Sequence, residues 1–111
     1  GGTAYTGGNG INVAGSVISA VAGSGIAVNG SGINIDSAVV ARKFNANIGN
    51  GAATSIAVTH SLGTKDVVVE LRANADDAHV LADVVSTDIN TVTVTFATAP
   101  AANAYRVTVI G

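Results

Sequence analysis

Apolar residues are spread along this chain in two different ways. Between residues 11 and 35 they are mostly single isoleucines and valines set among Gly, Ala, Ser and Asn. Beyond residue 38 they form longer runs that alternate with Thr and with charged side chains. In the first region Ile11 and Val13, and again Ile26 and Val28, alternate with small residues at the period of two that marks a short strand. Turn pairs follow at Ala14-Gly15 and Asn29-Gly30, then short strands over 17–19 and 33–35. Asn-Gly offers the positive φ that a tight hairpin wants.

These two stretches are copies of one unit. Gly8-Asn9-Gly10-Ile11-Asn12-Val13-Ala14-Gly15-Ser16-Val17-Ile18 recurs as Gly23-Ser24-Gly25-Ile26-Ala27-Val28-Asn29-Gly30-Ser31-Gly32-Ile33, a spacing of 15 residues with seven of fifteen positions identical. Each unit reads as strand, tight turn, strand and a Gly-flanked connection. The second region predicts an antiparallel β domain with strands over 39–46, 55–60, 66–71, 80–86, 91–97 and 105–110. Its core faces are read as Ile56 and Val58; Val67, Val69 and Leu71; Val92, Val94 and Phe96; and Tyr105, Val107 and Val109. Turn chemistry lies between them at Gly49-Asn50-Gly51, Leu62-Gly63-Thr64, 73–77, 87–90 and 100–103. Strands at roughly 10–12-residue spacing joined by short turns point to a sandwich or a barrel. No segment carries a helical period; residues 38–42 are the one stretch that would start a helical turn, and strand or extended linker is the favoured reading there.

Charge sharpens the division. Residues 1–35 contain no Asp, Glu, Lys, Arg or His, and ten of the fourteen glycines fall within the first 32 positions. The expected boundary therefore separates 1–37, a Gly-rich repeat segment, from 38–111, the β domain. A ribbon of two such units presents Ile and Val on one face, Ala, Ser and Asn on the other, and no charge to guard its edges. Burying one Val or Ile contributes about 1.5–3 kcal/mol, against about 1–2 kcal/mol per residue for ordering the backbone, and an isolated hairpin is marginal in water. The ribbon is thus expected to be covered by other copies of the chain, with Ile11, Val13, Ile18, Ile26, Val28, Ile33 and Ile35 meeting their symmetry mates along a shared axis in an intertwined stalk. The overall expectation is an all-β homo-oligomer, a stalk followed by an antiparallel sandwich or barrel-like domain. Three-fold symmetry is expected from the kind of object rather than from the spacing.

The order of the C-terminal segments carries a resemblance. Ile48-Gly49-Asn50-Gly51, residues 54–69 from Thr54 to Val69, Asn90-Thr91-Val92-Thr93-Val94-Thr95-Phe96 and the closing Tyr105-Arg106-Val107-Thr108-Val109-Ile110-Gly111 resemble a small C-terminal β domain of phage tail-fibre and other virion surface proteins. The Gly-x-Gly-Ile-x-Val repeats are similar to shaft repeats of the same class and also to those of bacterial trimeric adhesins. The resemblance implies a virion location, a homotrimeric stalk, and a head domain in contact with other virion proteins or a host surface receptor. Three functions follow as expectations: a fibre or spike segment, a capsid decoration or head-fibre protein, and an adhesin tip for a host glycan or protein.

Little else in the chain suggests chemistry. The five basic residues, Arg42, Lys43, Lys65, Arg72 and Arg106, are scattered and the net charge is −2, so nucleic acid is not an expected partner. No run approaches the roughly 20 apolar residues of a spanning helix, and a membrane is not expected either. With no cysteine, disulfides and thiolate metal sites are excluded. Gly1 in the place of Met, with no charged-then-apolar leader after it, reads as a fragment or processed product.

His60 and His79 are the only imidazoles and form no metal-ligand pair on one element. The plainer reading is that His60 ends a strand and hydrogen-bonds to the turn over 61–64. Asp76-Asp77, the one adjacent acid pair, has the composition of a calcium clamp or of glycosidase carboxylates, but neighbours in a turn more simply cap and solvate it. No Gly-x-Ser-x-Gly elbow and no Gly-x-Gly-x-x-Gly is present. No enzyme, cofactor or metal is expected. With only Tyr5, Phe44, Phe96 and Tyr105 as aromatics, a lectin platform is not favoured, and the loop positions Asn47, Asn50, Asp76, Asp77 and Asn103 are the candidate contact points.

Overall fold

The computed structural model describes residues 5–111. It is all-β, with no helix among the described residues, and it divides into two units after Ala41. The expected boundary at 37/38 moves because Asp36 starts a turn that belongs to the first unit. The Asp36 carbonyl accepts Val39 N at 3.0 Å and Val40 N at 2.9 Å, and its Oδ1 accepts Ala38 N at 3.1 Å. Val39 and Val40 therefore lie in this capped turn and not in the expected strand, whereas Arg42 exchanges both backbone bonds with Gly111, at 2.9 and 3.1 Å, next to the first pair of the following strand.

The first unit holds two separate hairpins. β1 (Ile11–Ala14) pairs with β2 (Val17–Ala20), and β3 (Ile26–Asn29) pairs with β4 (Gly32–Ile35), both antiparallel. The repeat in sequence is a repeat in hydrogen bonding. Ile11 N donates to Gly8 O at 3.1 Å and Ile26 N to Gly23 O at 3.2 Å. Within these turns Gly10 (φ 80°) and Gly25 (φ 88°) take the third-position conformation of a type II turn, which only glycine holds without strain. Each unit closes when the residue after its second strand bonds back to that glycine: Val21 N to Gly10 O at 2.8 Å and Asp36 N to Gly25 O at 2.9 Å.

Both reversals lie one residue later than expected, at Gly15-Ser16 and Gly30-Ser31, with Ala14 and Asn29 paired as the last residues of their strands. In the second hairpin neither Asn29 nor Gly30 takes a positive φ; Gly32 does, at 114°. Asn29 acts through its side chain instead, its Oδ1 accepting Ser31 N at 2.8 Å and Asn34 Nδ2 at 3.3 Å. Asn supplies this local bond more cheaply than a left-handed backbone.

The second unit contains two open antiparallel sheets. β5 (Lys43–Ile48), β11 (Tyr105–Ile110), β7 (Val68–Ala73) and β8 (His79–Val80) form one, in the order β5-β11-β7-β8. β6 (Ser55–Thr59), β10 (Thr91–Thr95) and β9 (Asp83–Asp88) form the other, in the order β6-β10-β9. Neither closes into a barrel, which removes that alternative. One buried cluster draws on both sheets: Ile48, Leu71, Val107 and Val109 from the first, Val58, Val92 and Val94 from the second, with Leu62 from a loop. The four central valines, Val92, Val94, Val107 and Val109, are fully buried. Their alternation with Thr93 and Thr108 is the period-2 pattern working as read. Phe96 and Tyr105 stack with ring centroids 5.1 Å apart and pack against this cluster.

Two strands are displaced from their expected spans. The 66–71 strand starts at Val68 because Thr64 Oγ1 accepts Asp66 N at 3.0 Å and Lys65 O accepts Val67 N at 3.0 Å, a local turn that competes with the ladder. The 80–86 strand is two strands, since the chain leaves one sheet after Val80 and joins the other at Asp83. Leu81, at this crossing, is 98% exposed.

Candidate functional site

Two surfaces gather the residues singled out in the sequence. The first is the apolar face of the hairpins. Registers Val13↔Ile18, Ile26↔Ile35 and Val28↔Ile33, with Ile11 opposite Ala20, put all seven candidate oligomer-core residues on one face of their own hairpin, because paired residues in an antiparallel ladder point the same way. Within a single chain this face is open: Ile18 is 67% and Ile33 70% exposed, and Ile11, Ile26, Val28 and Ile35 are exposed as well. Only Val13 of the seven is partly covered. No side chain of the hairpin strands is buried.

The second surface is the end of the four-stranded sheet where Ile48, Ala73 and Tyr105 lie side by side. Three loops leave the sheet there, and backbone bonds tie two of them together: Gly51 N to Pro100 O at 2.7 Å and Asn103 N to Gly49 O at 3.0 Å. Gly49, with φ 113°, lies so close to the Ala101 carbonyl that any Cβ would collide with it. The third loop docks through Asn74. Its N donates to Ala104 O at 2.9 Å, and its Nδ2 donates to Asn103 O at 2.8 Å and to Asn47 Oδ1 at 3.0 Å. Arg106 completes the cluster, with Nη1 donating to Asn74 Oδ1 at 3.2 Å and Nη2 pairing with Asp77 Oδ1 at 2.5 Å.

All five candidate loop positions thus lie at one end of the sheet with defined partners. Asn47, Asp77 and Asn103 belong to one hydrogen-bonded cluster, and Asp76 Oδ1 accepts Ala78 N at 3.1 Å within the same loop. Asn50 is occupied locally, its Oδ1 accepting Ala52 N and Ala53 N at 2.9 and 2.8 Å. Asn74 and Arg106, which hold the cluster together, were not singled out in the sequence. Arg106 lies on the polar side of the alternation set by Tyr105 and Val107, and only the loop packing gives it a partner. Asp77 (φ 58°) and Asn103 (φ 51°) are two of the three non-glycine residues with a left-handed backbone among the described residues, and such conformations persist where surrounding contacts enforce them. The Arg106 hydrogen bond, and then its charge, hold the Asp77 carboxyl below the ordinary carboxylate range.

The histidines stand apart from each other. His60, only 3% exposed, follows β6 and accepts Leu62 N at its Nδ1 at 3.0 Å, the turn contact expected for it. Arg42 also reaches this turn, a guanidinium nitrogen donating to Leu62 O. His79 Nε2 lies 2.9 Å from Glu70 Oε1, which Arg72 Nε also contacts at 3.1 Å, all three on the surface. Among the described residues no group of three or more His, Cys, Asp or Glu is placed to hold a metal ion. Comparison of the chain with protein-family models, curated proteins and solved structures finds no match.

Proposed function

We propose that this chain is a non-enzymatic bacteriophage virion protein, a fibre or spike segment in which hairpin units of several copies, most simply three, pack into an intertwined stalk. In this reading residues 42–111 form a sandwich-like terminal domain whose loop end faces a neighbouring virion protein or the host surface. One observation carries it: six isoleucines and valines on one face of the hairpins, Ile11, Ile18, Ile26, Val28, Ile33 and Ile35, are exposed in the single chain, on strands with no charged side chain. Such a face is stable in water only when something apolar covers it, and identical chains bring identical faces.

The test uses the full-length chain with Ile18→Lys and Ile33→Lys together. In a monomer, lysines at these exposed positions would change little, within about 0.5 kcal/mol. In the stalk they place charges in the shared core. Wild-type protein is expected at an integral multiple of 10.8 kDa by light scattering, and the double variant at a smaller multiple with the near-ultraviolet signal of the Phe96–Tyr105 stack retained. Equal masses for the two proteins would exclude the stalk.

A further inference from the structure

The second unit has four edge strands, and three of them carry features that oppose pairing with another chain. β5 begins with Lys43, and β8 is two residues long with His79 held by Glu70. β9 is bounded by Asp83 and Asp88, has a register shift opposite Thr91/Val92, and lies under the 64–67 turn, where Ser86 Oγ donates to Lys65 O at 3.1 Å. Charges, shortness, irregularity and cover are the ways sheets blunt their edges.

β6 has none of these. Its five residues, Ser55-Ile56-Ala57-Val58-Thr59, contain no charge, Gly or Pro, and its register with β10 is unbroken. The ladder also shows which backbone groups are free. Phe96 N donates to Thr54 O at 2.8 Å and His60 N to Asn90 O at 2.8 Å, so in an antiparallel ladder the even-numbered residues of this stretch bond to β10. The N–H and C=O groups of Ser55, Ala57 and Thr59 point away from the sheet, and all three residues are exposed. No hydrogen-bond partner for them occurs among the described residues.

We infer that this edge pairs with β6 of a second copy of the chain, antiparallel about a two-fold axis through Ala57. In that register Ala57 meets its own mate, and each Ser55 meets a Thr59 of the partner copy. The match is self-complementary, with small side chains on the outer face and no like charges opposed. The two three-stranded sheets would become one continuous sheet, and the isologous contact would close on itself instead of propagating. This contact lies in the second unit and does not depend on the hairpin stalk.

Ala57→Lys in the full-length chain puts two ammonium groups at the axis while leaving the bonds to β10 intact. It is expected to halve the molar mass measured by light scattering, with circular dichroism unchanged. As an independent readout, Ala57→Cys introduces the only thiol of the chain and is expected to give a disulfide-linked dimer under mild oxidation, seen on a denaturing gel. An unchanged mass for Ala57→Lys, together with no covalent dimer for Ala57→Cys, would overturn the inference. If Ala57→Lys leaves the mass unchanged and Ala57→Cys gives no covalent dimer while Ile18→Lys/Ile33→Lys lowers the mass, the edge pairing fails and the stalk stands; a covalent Ala57→Cys dimer keeps the edge pairing even where one lysine is too weak to part it. The reverse pattern leaves the edge pairing and removes the stalk.

Discussion

At the scale of single residues, the end of the four-stranded sheet is organised by a few side chains, Asn74, Asp77 and Arg106 above all. Asp77 and Arg106 are the charged pair. Because Arg106 favours the ionised carboxylate, the folded pKa of Asp77 lies below its unfolded value. The stabilisation from this pair is therefore present above the unfolded pKa and lost as pH falls through the folded one. The carboxyl carbon of Asp77, followed by NMR in an acid titration, is expected to have a midpoint below that of an unpaired aspartate, and Arg106→Gln should raise it. A midpoint insensitive to Arg106→Gln would mean the pair is not formed. The glycines of the same loops separate two kinds of requirement. Gly51 (φ 79°) has open space where a Cβ would stand, whereas Gly49 (φ 113°) faces the Ala101 backbone. Gly51→Ala should cost about 1–2 kcal/mol for its left-handed backbone. Gly49→Ala should cost more, because the 100–103 loop must move as well. Urea denaturation of the two variants measures the difference, and equal costs would show that the close approach is dispensable.

At the scale of elements, legibility tracks how local the cause is. The hairpins were readable because the 15-residue repeat carries its own turn chemistry, Gly-x-Gly for the entry turn and a two-residue reversal between strands. β6, β10 and β11 were readable from alternation and lie within two residues of the expected spans. The errors lie where a short polar side chain captured nearby backbone N–H groups, Asp36 before β5 and Thr64 before β7, or where the chain switched sheets at Leu81. No periodicity signals a switch of sheet, because Val80 belongs to one ladder and Asp83 to the next. The same distinction applies to the candidate sites. The apolar faces of the hairpins follow from local register. The loop cluster needs Asn74 and Arg106, whose partners are 27 to 32 residues away in sequence.

At the scale of the whole molecule, the buried cluster lies entirely within residues 48–109, and among the described residues the first unit contributes no buried apolar side chain. Residues 42–111 hold all the strands around that cluster. A fragment spanning 42–111 is therefore expected to fold alone, with a cooperative thermal transition close to that of the full chain and the near-ultraviolet signature of the Phe96–Tyr105 stack retained. A fragment without a cooperative transition would mean that the first unit takes part in the core. The hairpins are expected to behave oppositely: two-stranded ribbons with an exposed apolar face lose their structure when diluted away from whatever covers them.

The amino-acid sequence alone determined the all-β character, the repeat, the division between an uncharged and a charged region, and the faces of the strands. These depend on contacts between residues close in sequence and on a periodicity that the backbone geometry imposes. Only the tertiary structure decided which strands share a sheet, which edge is left bare, and which polar side chains meet at the loop end. Those depend on loop closure over tens of residues, and neither alternation nor composition encodes which of several similar Val- and Thr-rich strands will be neighbours.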